Sequence, residues 1–248
     1  MGNSNQTPKY DWRTYEKTKI GSGTYGKVYE VKVDDGTLYA MKVPKKHKKS
    51  FLETEAFILK KLQSICGKHI LCFKDFVQYD DGSMFLITEF LDGYKTLTDY
   101  SILKGVDRKK RNQMVYNAVE AVAQMHRAGV AHLDLSMQNI MVNPDTGNVK
   151  IIDFGSSCAD TIKCHVATMS NPVDIYNYKY YSPEYQRRSS MNADDFTLEE
   201  AKLEDIYMLG VLLLSLATPT DLQEWSVNIK SMLSDKPKER KLPKPKLI

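Results

Sequence analysis

The pattern of apolar and polar positions changes character about a third of the way along the chain. Up to residue 90 the apolar residues come in short runs bounded by turns: 28–33 and 38–43 flank Asp34-Asp35-Gly36, and 70–78 and 83–90 flank Asp80-Asp81-Gly82. Short runs separated by Asp-Gly turns read as antiparallel hairpins. One helix is expected in this half, opened by the capping-box signature Ser50-Phe-Leu-Glu53, with Leu52, Glu55, Leu59 and Leu62 sharing a face. A carboxylate in that apolar stripe needs a partner, because leaving a buried charge unpaired is costly.

After Leu91-Asp92-Gly93 the period becomes helical. Residues 107–128 place Met114, Val115, Ala118, Val119, Val122 and Met125 on one stripe, ended by Gly129. Two short strands, 140–142 and 149–152, flank Pro144-Asp145-Thr146-Gly147. Residues 198–217 read as a largely buried helix, and 221–233 as an amphipathic one. Strands first and helices afterwards predict an α+β fold of two lobes and argue against an alternating parallel sheet. The expected divisions are a flexible tail over 1–9, an antiparallel-sheet lobe over 10–90, a helical lobe over 91–234 and a basic tail over 235–248.

Composition narrows the class. With 248 residues, 42% of them hydrophobic, the chain can bury a substantial core. The longest apolar run, 209–217, falls short of the roughly 20 residues that span a bilayer, and no signal peptide opens the chain, so a cytoplasmic location is expected, with nuclear or host-cell cytoplasm as variants. Cys66, Cys72, Cys158 and Cys164 show no CxxC pair or metal-ligand spacing and are expected as reduced thiols. The net charge of +4 is uneven: the last thirteen residues carry +5. With Pro237, Pro243 and Pro245 among them, that tail is expected to be disordered. Met1-Gly2-Asn3-Ser4-Asn5-Gln6 makes Gly2 a myristoylation candidate, which together with the basic tail would form a two-signal membrane contact. Specific nucleic-acid binding is not expected.

The candidate chemistry lies in a series of short motifs. In order these are Gly21-Ser-Gly23-Thr-Tyr-Gly26-Lys-Val28, Ala40-Met-Lys42, Glu55, His132-Leu-Asp134 with Asn139, Asp153-Phe-Gly155, and Ser182-Pro-Glu184. One glycine-rich loop alone is weak, but six motifs in this order resemble a eukaryotic-type protein kinase, from about Tyr15 to Ala217.

That resemblance implies an ATP- and Mg²⁺-dependent kinase with a protein substrate and serine or threonine as the favoured acceptor. It assigns catalysis to Asp134, Lys42 and Glu55. It assigns the nucleotide to Ile20, Gly21, Ser22, Gly23, Gly26, Val28, Ala40, Lys42, Thr88, Glu89, Leu91 and Met141, and magnesium to Asn139 and Asp153. His132, Phe154, Glu184 and Asp205 become structural: His132 and Phe154 stack in a column with Leu59 and Phe73, and Asp205 tethers the catalytic-loop backbone.

Three departures qualify it. Leu133 replaces the arginine that reads a phosphate on the activation segment, Ser136 replaces a loop lysine aimed at the γ-phosphate, and Asn177 stands in place of a supporting threonine. The chain also looks short after the long buried helix, which in the family is followed by further helices and an arginine partner for Glu184. An activating partner or a second copy is expected to cover the shortened lobe. Two alternatives remain: a pseudokinase acting as a binding module, and a small-molecule phosphotransferase of kinase-like fold.

Overall fold

The computed structural model describes residues 10–100, 106–166, 179–191 and 195–244. The expectations at Gly2 and Asn177 lie outside them. The first lobe is a five-stranded antiparallel sheet in the order β1-β2-β3-β5-β4, formed by β1 (Lys17–Ser22), β2 (Gly26–Lys32), β3 (Leu38–Pro44), β4 (Phe73–Gln78) and β5 (Met84–Glu89). Alternation along β5 explains its place inside the sheet. Phe85 and Ile87 point into a small cluster with Trp12, Val31, Val33, Met41 and Val77, while Met84 and Leu86 join the main core. Residues 10–15 close the outer face, with the Trp12 indole donating to Asp75 Oδ2 at 2.8 Å.

Helix α1 (Lys49–Lys61) packs Leu52, Glu55, Ala56, Ile58 and Leu59 inward. It does not begin as the capping-box signature suggests. Lys48 occupies the N-cap without a side-chain cap bond, and Ser50 lies inside the first turn. The helices that do carry side-chain caps start where such a residue precedes the first turn. Asp107 accepts from Lys110 N at the start of the helix over Arg108–Arg127, and Thr197 and Thr218 form capping boxes with Glu200 and Asp221.

The second lobe contains β6 (Lys95–Thr96), α2 (Leu97–Tyr100), α3 (Arg108–Arg127), β7 (Val130–Ala131), β8 (Ile140–Val142), β9 (Val149–Ile151), β10 (Cys158–Ala159), α4 (Pro183–Met191), α5 (Leu198–Leu216) and α6 (Pro219–Met232). Strands β6, β8 and β9 form one small sheet, and β7 pairs with β10. Helix α6 buries Trp225, Ile229 and Met232, and Arg111 on α3 donates to Asp221 at 2.9 Å. Gly210 permits the close approach of α5 to the end of α6, because a Cβ there would lie 2.9 Å from Leu233 and Met232 atoms. Leu214 and Val227 remain exposed on this side. Among the described residues no helix is long and apolar enough to cross a membrane.

Two further expectations are overturned. The segment after α6 is ordered as far as it is described: a 3₁₀ turn at Pro237–Glu239 leads to Arg240, whose side chain is fully buried. Its charge is matched by Glu184, so the composition argument for a solvated tail fails at this residue. The cysteines are also paired, Cys66 with Cys72 and Cys158 with Cys164, their Cα atoms 5.0 and 4.9 Å apart. Each pair closes a short loop, which brings Cα atoms to disulfide distance without a CxxC motif.

Candidate active site

The glycine-rich segment is the turn between β1 and β2. At Gly26 glycine is required, since a Cβ would sit 2.7 Å from Val43 O on the neighbouring strand. The strand pairing sets Val28 opposite Lys42 and Ala40 opposite Thr88, so these four positions lie on adjacent strands of one sheet. Of the other predicted nucleotide positions, Gly21, Ser22 and exposed Ile20 lie on β1, Glu89 ends β5, Leu91 follows it, and Met141 lies on β8. Gly23 lies in the turn, its N–H donating to Gly26 O at 3.0 Å.

Lys42 reaches from β3 toward α1 and the start of the Asp153-Phe-Gly segment. Its Nζ donates to Glu55 Oε2 at 2.6 Å and to Asp153 Oδ1 at 2.7 Å. Burial alone would lower the lysine, but the two carboxylates outweigh it and hold the ammonium above its usual range. Burial pushes Glu55 up, with Lys42 pulling it back and Asp153 adding to the rise. Glu55 Oε1 also accepts from Phe154 N at 3.4 Å, tying α1 to this segment. Asp153 has the left-handed backbone φ of 61°, which non-glycine residues adopt at some energetic cost.

The loop 132–139 is held from below. Asp205, fully buried on α5, accepts from His132 N at 2.7 Å, Leu133 N at 2.8 Å and the His126 ring at 2.9 Å. Those bonds hold Leu133 at φ 63°, another left-handed residue. The Asn139 amide donates to Asp134 Oδ2 and to Asp134 O, both at 2.8 Å, folding the loop into one turn with the acid and the amide in contact. The His132 and Phe154 rings lie 5.0 Å apart, in the same core as Leu59, with Phe73 packed against its edge. Ser136 is buried, and its Oγ finds no hydrogen-bond partner among the described residues.

Several contributors escaped the sequence reading. Lys150 on β9, 3% exposed, donates to Glu89 Oε1 at 2.6 Å, and the same oxygen accepts from Cys72 N at 2.8 Å. Tyr25, at the tip of the glycine-rich turn, stacks on Phe51 of α1 at 4.3 Å and its hydroxyl lies 3.1 Å from Ser156 Oγ. Arg240 pairs with Glu184, its Nε donates to Ser234 O at 3.0 Å, and its guanidinium stacks 4.7 Å above Tyr207. A buried lysine in an apolar strand and an arginine in a basic tail give no local signal, because both depend on partners about sixty residues away.

Glu204, also unforeseen, accepts from Ser182 N at 2.8 Å and Ser182 Oγ at 2.5 Å. Burial pushes it up to about 7 against the pull of those bonds, with Glu184 adding and Arg240 opposing. The folded value lies above that of a free glutamate. The folded protein therefore holds this proton where the unfolded chain has lost it, and stability declines as pH rises from the usual glutamate range through 7. Glu204→Gln should remove this decline. Relative to the parent it should gain up to about 3 kcal/mol between pH 5 and pH 8, read by chemical denaturation at both values.

The protein kinase domain model matches residues 15–243, and the chain belongs to that family. It is 28% identical over 233 residues to the probable serine/threonine-protein kinase fnkE of Dictyostelium discoideum, covering 87% of this chain and 16% of that protein. It is 33% identical over 214 residues to the calcium/calmodulin-dependent protein kinase type 1 of Caenorhabditis briggsae, covering 82% of this chain and 53% of that one. To the mouse hormonally up-regulated neu tumor-associated kinase it is 27% identical over 248 residues, covering 90% and 34%. The matched regions thus span between about a sixth and a half of these relatives.

Proposed function

We propose that the chain is a catalytically competent kinase that transfers the γ-phosphoryl group of ATP, with Mg²⁺, to a protein hydroxyl, serine or threonine in preference. The observation that carries this reading is the Lys42 ammonium bridging Glu55 on α1 and Asp153 beside Phe154. An ammonium fixed by one carboxylate while touching a second is suited to orienting phosphate oxygens. The names of the similar kinases from Dictyostelium and Caenorhabditis agree with a protein acceptor.

The residues fit the nucleotide and the metal. The β1–β2 turn offers backbone N–H groups around glycines, and Gly26 leaves no room for a side chain. Asp153 and Asn139 present a carboxylate and an amide oxygen, the hard donors that Mg²⁺ accepts when phosphates complete its shell. ATP with Mg²⁺ supplies the transferable phosphoryl group. Lys42 orients it, Glu55 keeps the ammonium in place, and Asp134 orients the acceptor hydroxyl and takes its proton. Asn139 fixes the Asp134 carboxylate through the 2.8 Å bond.

A second reading, a nucleotide-binding module without transfer, is favoured by Ser136, which leaves no cation beside Asp134 at that position. Incubation with labelled ATP separates the two. Mg²⁺-dependent labelling of the protein or of a generic basic substrate, on serine or threonine, supports a kinase. A nucleotide-induced rise in melting temperature without labelling supports the module.

A further inference from the structure

From the end of β3 into the first residue of α1 the chain reads Lys45-Lys46-His47-Lys48-Lys49, and Lys27 joins this run because β2 and β3 pair Lys27 with Val43. Lys27, Lys45, Lys46, His47 and Lys49 are exposed, and Pro44, Lys45, Lys46, His47, Lys49 and Ser50 line a shallow concavity. Among the described residues none of these basic side chains forms an ion pair with a carboxylate. Lys48 instead lies 4.9 Å over the Phe51 ring, and Lys49 Nζ donates to Gly82 O at 2.6 Å.

Runs of like charge are commonly solvated and mobile. This one has a fixed backbone. Lys45 N donates to Tyr25 O at 2.9 Å and Lys48 N to Lys45 O at 3.0 Å. Through Tyr25, whose hydroxyl meets Ser156 next to Gly155, the ridge adjoins the tip of the glycine-rich turn and the Asp153 segment. It therefore borders the place where an acceptor would enter. A one-signed rim on such a cleft concentrates the opposite charge and favours partners that carry it.

We propose that this ridge binds an aspartate- and glutamate-rich segment of the protein substrate, flanking the acceptor residue. The proposal rests on the kinase reading and names a substrate class for that site. Residues 45–48 close a turn, so the basic side chains form a compact cluster, which suits a short acidic stretch better than a membrane plane.

The test compares two serine peptides of equal length, one flanked by glutamates and one by glutamines, with wild type and Lys45→Glu/Lys46→Glu. Both substitutions are at exposed positions outside the catalytic set. Wild type should show a KM about tenfold lower for the glutamate peptide, the gap narrowing as salt is raised. The variant should lose or reverse that preference while keeping kcat on the glutamine peptide. Anisotropy of a labelled glutamate peptide with alanine at the acceptor position, measured without nucleotide, should show binding weakened about tenfold in the variant. Equal KM values for the two peptides in wild type, unchanged affinity in the variant, or binding only to phosphatidylserine vesicles would overturn the proposal. If wild type phosphorylates neither peptide, the kinase reading fails, and the anisotropy result alone decides whether the ridge binds acidic peptide.

Discussion

Lys42→Met should lower phosphoryl transfer by about 10²–10³-fold, the scale of losing one preorganised charge contact to the transferring group. The same change should destabilise the fold by about 3 kcal/mol, because it leaves the buried Glu55 carboxylate beside Asp153 with no cation between them. With Lys42 gone, burial and Asp153 favour the protonated form of Glu55, and the Phe154 N–H bond is the smaller influence against them. Its folded value then lies further above the unfolded one, so the deficit should shrink as pH falls toward 5 and grow as pH rises toward 8. Pairing the substitution with Glu55→Leu tests the cause. An apolar pair of similar volume removes the uncompensated charge, so the double variant should regain most of the stability and none of the transfer. Urea denaturation and a labelled-phosphate assay on the four proteins separate the two effects. Equal stability of Lys42→Met and wild type at pH 8 would show that the pair carries no structural load.

Arg240→Ala should cost about 2–4 kcal/mol and weaken activity together with stability. The guanidinium is fully buried, faces Glu184, and packs on Tyr207. Glu184 is the second residue of α4, which follows Tyr180, Tyr181 and Ser182. Ser182 N donates at 2.8 Å to Glu204 on α5, whose neighbour Asp205 accepts from His132 N and holds loop 132–139. Loosening Glu184 should therefore reach the loop that holds Asp134 and raise KM. Arg240→Lys should rescue little, since a lysine cannot both donate along the carboxylate and stack flat on Tyr207. Arg240→Met with Glu184→Gln should recover stability, because neither member of the pair is then charged. If Arg240→Ala melts like wild type, the segment after α6 is dispensable to the fold.

Much of this architecture was legible from periodicity. The Asp-Gly turns at 34–36 and 80–82 separate strands that do pair, and the stripe on α3 ends at Ala128 as its apolar spacing indicates. The contact between Glu55 and Lys42 could be argued because a carboxylate among leucines demands a cation. Contacts set by tertiary approach were not legible. Lys150 and Glu89 are 61 residues apart and Arg240 and Glu184 are 56 apart, and neither pair follows from the pattern around its members. The start of α1 was misplaced because Ser50 and Glu53 satisfy the capping motif in sequence while the chain enters the helix earlier, at Lys49. The cysteines failed for a related reason. Spacing rules recognise metal and redox motifs, whereas Cys158 and Cys164 meet because β10 and the residues after it fold into a tight hairpin, with Ala159 bridging Ile162.

Labelled-phosphate transfer by wild type and Asp134→Asn, with ATP and Mg²⁺, tests the central claim most directly. The substitution preserves the size of the side chain beside Asn139 and removes the carboxylate proposed to take the acceptor proton. The account predicts Mg²⁺-dependent incorporation by wild type and a loss of about 10²–10⁴-fold in the variant, with folding and nucleotide binding retained. Equal incorporation by both proteins, or none by wild type despite nucleotide binding, would contradict it.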